Sequence, residues 1–198
     1  MSTYFFVPGY GRTEKDWDRF RSILQSHGHK TYSITLSKPR KSSLTKHIAE
    51  VYKQIIDEDF NNVILVGHSY SGFVITGVAD KIPERINKLI FIDTLIPEDG
   101  KSIMDFFRAA KTKLLKFGVI PFKPLSEPLK FDTLKFNEID KTYIRCSKSQ
   151  FLKMLDFIPD YFKMNKVDKC WKYFELNSGH FCMNDSPNEL ADIILQVN

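Results

Sequence analysis

The sequence predicts an α/β fold, a mainly parallel six-stranded sheet with helices on both faces, and three observations predict it. The runs Thr3–Val7 and Val63–Val66 are dense in β-forming residues and apolar at successive positions, as strands buried on both faces of a parallel sheet must be. Helical patterns alternate strictly with strand patterns through the first half of the chain, which implies right-handed crossovers. The third observation is the stretch Val66-Gly67-His68-Ser69-Tyr70-Ser71-Gly72, where a buried strand runs into a tight small-residue turn and then into a helical pattern.

Taken in order, the first strand stops at Pro8-Gly9-Tyr10-Gly11, a loop placed to reach the site. Residues Asp16 to His27 set Trp17, Phe20, Ile23 and Leu24 on one helical face, with Gly28 as the stop. His29–Leu36 reads as the second strand. After the basic loop Lys38–Ser43, the residues Leu44, Ile48, Val51, Tyr52 and Ile55 recur at helical spacing to about Asp59. Asn62–Val66 is the third strand; its helix ends near Ile82-Pro83, and Ile86–Ile92 is the fourth strand, ending in Asp93-Thr94.

From Pro97 to about Asp140 the rhythm changes. Ser102 to Phe117 is amphipathic and basic, with Ile103, Phe106, Phe107, Ala110, Leu114 and Leu115 as its apolar stripe, and Pro121, Pro124 and Pro128 punctuate the stretch beyond it. This reads as a lid-like insertion, about 97–140, in a single domain spanning 1–198. Thr142–Cys146 is the fifth strand, Gln150–Phe157 a helix and Trp171–Leu176 the sixth strand. Ser186-Pro187-Asn188-Glu189 reads as a capping box that opens the last helix, with Leu190, Ile193, Ile194 and Val197 inward.

The composition excludes several classes. At 198 residues and 42% hydrophobic, with no repeat at solenoid period, the chain is an ordinary globular domain. Its net charge of +5 comes from lysines interspersed with acids, the pattern of a solvated face, which argues against a nucleic-acid partner. The start lacks a basic n-region and no stretch reaches membrane-spanning length, so a cytoplasmic protein without a membrane partner is expected. Cys146, Cys170 and Cys182 lack C-x-x-C spacing and fit reduced thiols better than disulfides or a zinc site. Monomer and homodimer both remain open.

The chemistry starts at Ser69. A serine hydroxyl needs a base within hydrogen-bond reach and an acid to orient that base. In this topology the order is Ser, then Asp or Glu, then His, and His180 is the one histidine downstream of Ser69. His27, His29, His47 and His68 read as structural, His68 with its side chain aimed elsewhere. Asp93, at the carboxyl end of the fourth strand, is the preferred acid; Asp156 and Asp160 are the outsiders. The backbone N–H groups of Tyr70 and Tyr10 are the candidate oxyanion donors. Gly9, Phe106, Phe107 and Phe181 are the candidate substrate-pocket residues, the apolar stripe serving equally well as plain core.

Several stretches together resemble the α/β-hydrolase superfamily, in particular the branch of plant methylesterases, hydroxynitrile lyases and their small bacterial esterase-like relatives. They are Phe6-Val7-Pro8-Gly9, Ser26-His27-Gly28-His29, Val66-Gly67-His68-Ser69, Phe91-Ile92-Asp93-Thr94-Leu95-Ile96-Pro97, Tyr143-Ile144-Arg145-Cys146 and Gly179-His180. The resemblance implies an α/β-hydrolase fold, Ser69 as nucleophile, His180 as base, and no metal or organic cofactor. Three departures stand out. The family's His-Gly before the oxyanion residue is Pro8-Gly9 here. The plant enzymes' acid after the fifth strand falls near Ser149, whereas relatives such as haloalkane dehalogenases carry it where Asp93 lies. The insertion is short for a cap. Hydroxynitrile lyases place a lysine after the catalytic histidine, and Phe181 stands there in this chain, which disfavours lyase chemistry. The leading expectation is a serine carboxylesterase for a small or medium ester with an apolar part. The alternatives are a catalytically weak protein that binds a hydrophobic small molecule, and an amidase or other C–N hydrolase.

Overall fold

A strand sends successive side chains to opposite faces, and β1 (Thr3–Val7) shows how this sequence uses that alternation. Tyr4 and Phe6 pack into one core layer, Phe5 and Val7 into the other, and all four are buried completely. The same division runs through β3 (Val63–His68), with Leu65 beside the second layer and Ile64 and Val66 in the first. The computed structural model describes residues 1–110, 122–153 and 170–197.

With β2 (Lys30–Ser33), β4 (Ile86–Ile92), β5 (Asp140–Cys146) and β6 (Trp171–Leu176), these strands form one sheet in the order β2-β1-β3-β4-β5-β6, every pairing parallel. The helices are α1 (Asp18–Ser26), α2 (Leu44–Asp57), α3 (Ser71–Lys81), α4 (Ile103–Ala109), α5 (Lys123–Ser126), α6 (Thr133–Glu138), α7 (Gln150–Lys153), α8 (Cys182–Asp185) and α9 (Pro187–Gln196). The apolar stripes of α2 and α3 cover one face, and those of α1, α8 and α9 the other. β1 and β3 are neighbours although β2 separates them in sequence, so their onward connections diverge and open a crevice at their carboxyl ends. The Gly9 loop and the Ser69 turn both lead into it.

Three local departures from the sequence reading have identifiable causes. β2 stops at Ser33 because the chain then peels away: Thr35 Oγ1 accepts the Glu14 N–H at 3.1 Å and the Glu50 carboxylate accepts the Ser37 N–H at 2.9 Å. The expected box at Ser186 does not form, since that residue closes α8 through its own N–H to Cys182 O, 2.9 Å, and its side chain makes no cap. A capping box forms at Ser102 instead, where its hydroxyl accepts the Asp105 N–H at 3.3 Å and the Asp105 carboxylate accepts the Ser102 N–H at 2.8 Å.

Between β4 and β5, residues 122–139 pack on the α2 and α3 layer, burying Leu125, Leu129, Phe131 and Phe136. Glu127 fastens it there by accepting from the Leu44 N–H and the Thr45 hydroxyl, both at 2.7 Å, at the amino end of α2 where a carboxylate is favoured. Leu114, Leu115, Pro121, Asp156 and Asp160 lie outside the described residues, as do the expected helix ends at Phe117 and Phe157. No helix among the described residues is long and apolar enough to cross a membrane.

Candidate active site

Ser69 sits at the tip of the β3–α3 turn with φ 55°, a left-handed conformation that a side-chain-bearing residue holds only when its surroundings impose it. The surroundings are tight. A Cβ at Gly67 would lie 2.7 Å from Ser71 O, and one at Gly72 would run into the Thr94 hydroxyl and sit 2.9 Å from Leu95 O. Ser71 is the small residue between them; it is fully buried, and its hydroxyl donates to Pro8 O, tying the first loop to the turn. The Ser69 N–H donates to Ile92 O at 3.1 Å, and the Thr94 hydroxyl donates to Ser69 O. Neighbouring strand ends thus hold both sides of the Ser69 backbone.

His180, on the loop after β6, brings Nε2 to 3.0 Å from Ser69 Oγ and Nδ1 to 2.6 Å from Asp93 Oδ2. Asp93 is wholly buried and left-handed at φ 45°; its N–H donates to Ile144 O at 2.9 Å and its Oδ1 accepts the Cys146 N–H at 3.2 Å. The carboxylate is an acceptor on both oxygens, so the imidazole proton lies on Nδ1 and Nε2 is left to accept from the Ser69 hydroxyl. The Tyr143 hydroxyl, kept neutral because burial pushes its pKa well up, donates to Thr94 O at 2.7 Å and braces the residue after Asp93.

His68 is aimed at the same loop rather than away from it. Its Nε2–H donates to the backbone O of His180 at 2.7 Å, and the two rings are 4.5 Å apart. Burial, then the neighbouring His180, holds its pKa well below the ordinary histidine range, so it is a neutral donor. His47 is also buried: its Nε2–H donates to Ser37 O at 2.8 Å, which leaves Nδ1 to accept from the Tyr70 hydroxyl at 2.8 Å.

Tyr70 opens α3, where N–H groups have no intrahelical acceptor, and Tyr10 follows Gly9 in the first loop. A Cβ at Gly9 would lie 3.4 Å from Ser69 Cβ and 3.1 Å from His68 Nδ1, so glycine keeps the space beside Ser69 clear. A cavity of about 520 Å³ opens there, walled by Leu95, Ile103, Phe107, Leu125 and Phe151. Gly9, Phe107 and Phe181 line it. Phe106 does not: Ile103 and Phe107 share one face of α4, and Phe106 turns about 100° away to pack edge-to-face on Phe73, with centroids 6.0 Å apart. The bonds of Ser71, His68, Thr94 and Tyr143 escaped the sequence reading because each joins a partner distant in sequence, and no local pattern marks such a pair.

A family model described as "Alpha/beta hydrolase family" matches residues 4–143. A 62-residue stretch is 50% identical to the carbendazim hydrolyzing esterase of Nocardioides sp. (strain SG-4G), covering 31% of this chain and 26% of that protein. Over 115 residues the chain is 30% identical to norfluorocurarine synthase 2 of Strychnos nux-vomica, covering 52% of this chain and 42% of that protein. The chain thus spans less than half the length of these curated relatives. Among solved structures, an extracellular alpha/beta-hydrolase from a Paenibacillus species superposes with a TM-score of 0.81 at 21% identity, covering 99% of this chain and 98% of that one. Polyneuridine aldehyde esterase does so at 0.79 and 16% identity, covering 100% and 99%. At these identities the likeness is one of fold.

Proposed function

This chain belongs to the alpha/beta hydrolase family, and from that premise we propose that it is a serine carboxylesterase for small or medium esters with an apolar part. The observation that carries the reading is the unbroken series of hydrogen bonds from Asp93 through His180 to Ser69 beside an apolar cavity. Ser69 Oγ attacks the ester carbonyl while His180 Nε2 takes its proton, and Asp93 stabilises the imidazolium that forms. The N–H groups of Tyr10 and Tyr70 receive the developing oxyanion; a donor of this kind lowers the barrier by about 2.7–4 kcal/mol. His180 then protonates the departing alkoxide. A water molecule, deprotonated by the same nitrogen, releases the acid from the acyl-enzyme.

The names of two relatives, "Carbendazim hydrolyzing esterase" and "Polyneuridine aldehyde esterase", accord with ester rather than amide cleavage. A protein that only captures an apolar molecule has no use for a 2.6 Å contact between a fully buried carboxylate and a histidine. The test is hydrolysis of p-nitrophenyl acetate and butyrate, with fluorophosphonate labelling alongside. Ser69→Ala is expected to abolish labelling and lower turnover by about 10³-fold or more. Asp93→Asn, whose amide donates to Nδ1 and drives the ring into the wrong tautomer, is expected to lower it about 10²- to 10⁴-fold. A wild type that neither turns over nor labels sinks the proposal.

A further inference from the structure

The cavity is apolar along its walls, and the charged side chains among its polar residues are Arg12 and Lys148. Besides His180 and His68, the ionisable side chains lining it are those of Arg12, Lys148, Tyr10 and Tyr70; no carboxylate lines it among the described residues. Arg12 is held in place. Its Nε and Nη2 donate to the two Asp16 oxygens at 2.8 and 2.6 Å, and its guanidinium lies 5.0 Å from the centroid of the Phe181 ring. This fork leaves the Nη1 hydrogens without an acceptor among the described residues. The arginine stem passes beside the nucleophile: one Cβ-sized gap at Gly9 separates Arg12 Cγ, 3.6 Å away, from Ser69 Cβ, 3.4 Å away.

Lys148 approaches from the other strand ends. It is exposed on the loop after β5, its N–H donates to Ser178 O at 3.0 Å, and that bond sets it against the loop carrying Gly179 and His180. No described residue accepts from its ammonium. With Asp16 already paired to Arg12, the Lys148 ammonium is, among the described residues, the uncompensated charge at the cavity, and it and the free Nη1 edge of a pre-oriented guanidinium suit a carboxylate.

We propose that the site selects half-esters, in which one end of an apolar acyl chain is the scissile ester and the other a free carboxylate. The inference rests on the esterase reading above. The chain fills the apolar cavity, the ester carbonyl meets Ser69, and the carboxylate meets Arg12 Nη1 and the Lys148 ammonium at the mouth. Water adds across the acyl–oxygen bond, so the monoanion yields a dicarboxylate, the alcohol and one released proton.

The experiment compares kcat/KM for the monomethyl and dimethyl esters of succinate, adipate and sebacate at low ionic strength. The half-ester to diester ratio is taken within each protein, so differences in folding or basal rate cancel. Wild type is expected to favour the half-ester of the best-fitting length by about tenfold, as pairing with an exposed ammonium and a guanidinium edge allows. The ratio is expected to fall toward one at 0.5 M salt, and in Arg12→Gln/Lys148→Gln. A ratio at or below one in wild type that hydrolyses the diester overturns the half-ester inference and leaves the esterase standing. So does a preference that survives intact in the double variant. If neither ester is cleaved, binding of monomethyl adipate to Ser69→Ala protein, followed by NMR, decides: saturable binding lost in the double variant upholds the anion site without the esterase, and no binding overturns both.

Discussion

His180, the proposed base, sits on a loop whose backbone must be held as firmly as its ring, and His68 is the residue that holds it. The Asp93 carboxylate fixes the His180 ring through Nδ1, but the loop itself is pinned by the 2.7 Å bond from His68 Nε2–H to His180 O. His68→Phe fills the same space and removes the donor, leaving a carbonyl whose lost partner costs about 1–3 kcal/mol. The expected result is a kcat lowered about tenfold with KM little changed, and partial recovery in His68→Gln, whose amide reaches toward the same carbonyl. Steady-state kinetics and the rate of fluorophosphonate labelling both read it. A Phe variant with wild-type kcat, or one altered in KM alone, removes His68 from this role. Such a residue is hard to see in a sequence, because its partner lies 112 positions away. Ser69 and His180 are legible for the opposite reason: a strand, a turn and a helix in succession mark the first, and its place after the last strand marks the second.

At the scale of elements, the turn at Ser69 works because three strand ends leave no room for anything larger. Gly72→Ala places a methyl group against the Thr94 hydroxyl and Leu95 O, which themselves hold the Ser69 carbonyl and the chain after Asp93. Overpacking of this kind costs about 1–3 kcal/mol, and the expected result is a denaturant midpoint lowered accordingly with a disproportionate loss of turnover from displaced Ser69. Unchanged stability would show that the strand ends yield. The same crowding explains which strands are legible in the sequence. Strands such as β1 and β3 declare themselves because both faces are buried, while β2, at the sheet edge, ends where the Glu14 N–H, bonded to Thr35 Oγ1, and the Glu50 carboxylate, bonded to the Ser37 N–H, draw its chain away. Adjacent residues on α4 separate for a related reason: Phe106 and Phe107 are equally apolar, and only the position of α3 decides which one faces the cavity.

At the scale of the whole molecule, both layers of the core contain a neutral histidine, and this sets how stability responds to acid. His47 is a buried residue of α2 on one side of the sheet and His68 lies beside Trp17 on the other, and burial lowers the pKa of each from the ordinary value of 6.5. Because the unfolded chain protonates near 6.5 and the folded one only at lower pH, the unfolded state binds more protons in between. Stability is therefore complete above about pH 7 and declines as pH falls below 6.5, by at most about 2 kcal/mol per histidine by pH 5. The carboxylates Asp59 and Asp105, held below their ordinary 3.8 by hydrogen bonds to Arg85 and to Ser102 respectively, act in a separate and more acidic window. Denaturant unfolding between pH 8 and 5 measures the slope directly, and His47→Gln, which keeps a donor and an acceptor, is expected to flatten it by about half. A stability that is constant across this range, or that rises toward pH 5, would mean that the two imidazoles are not held neutral by the core.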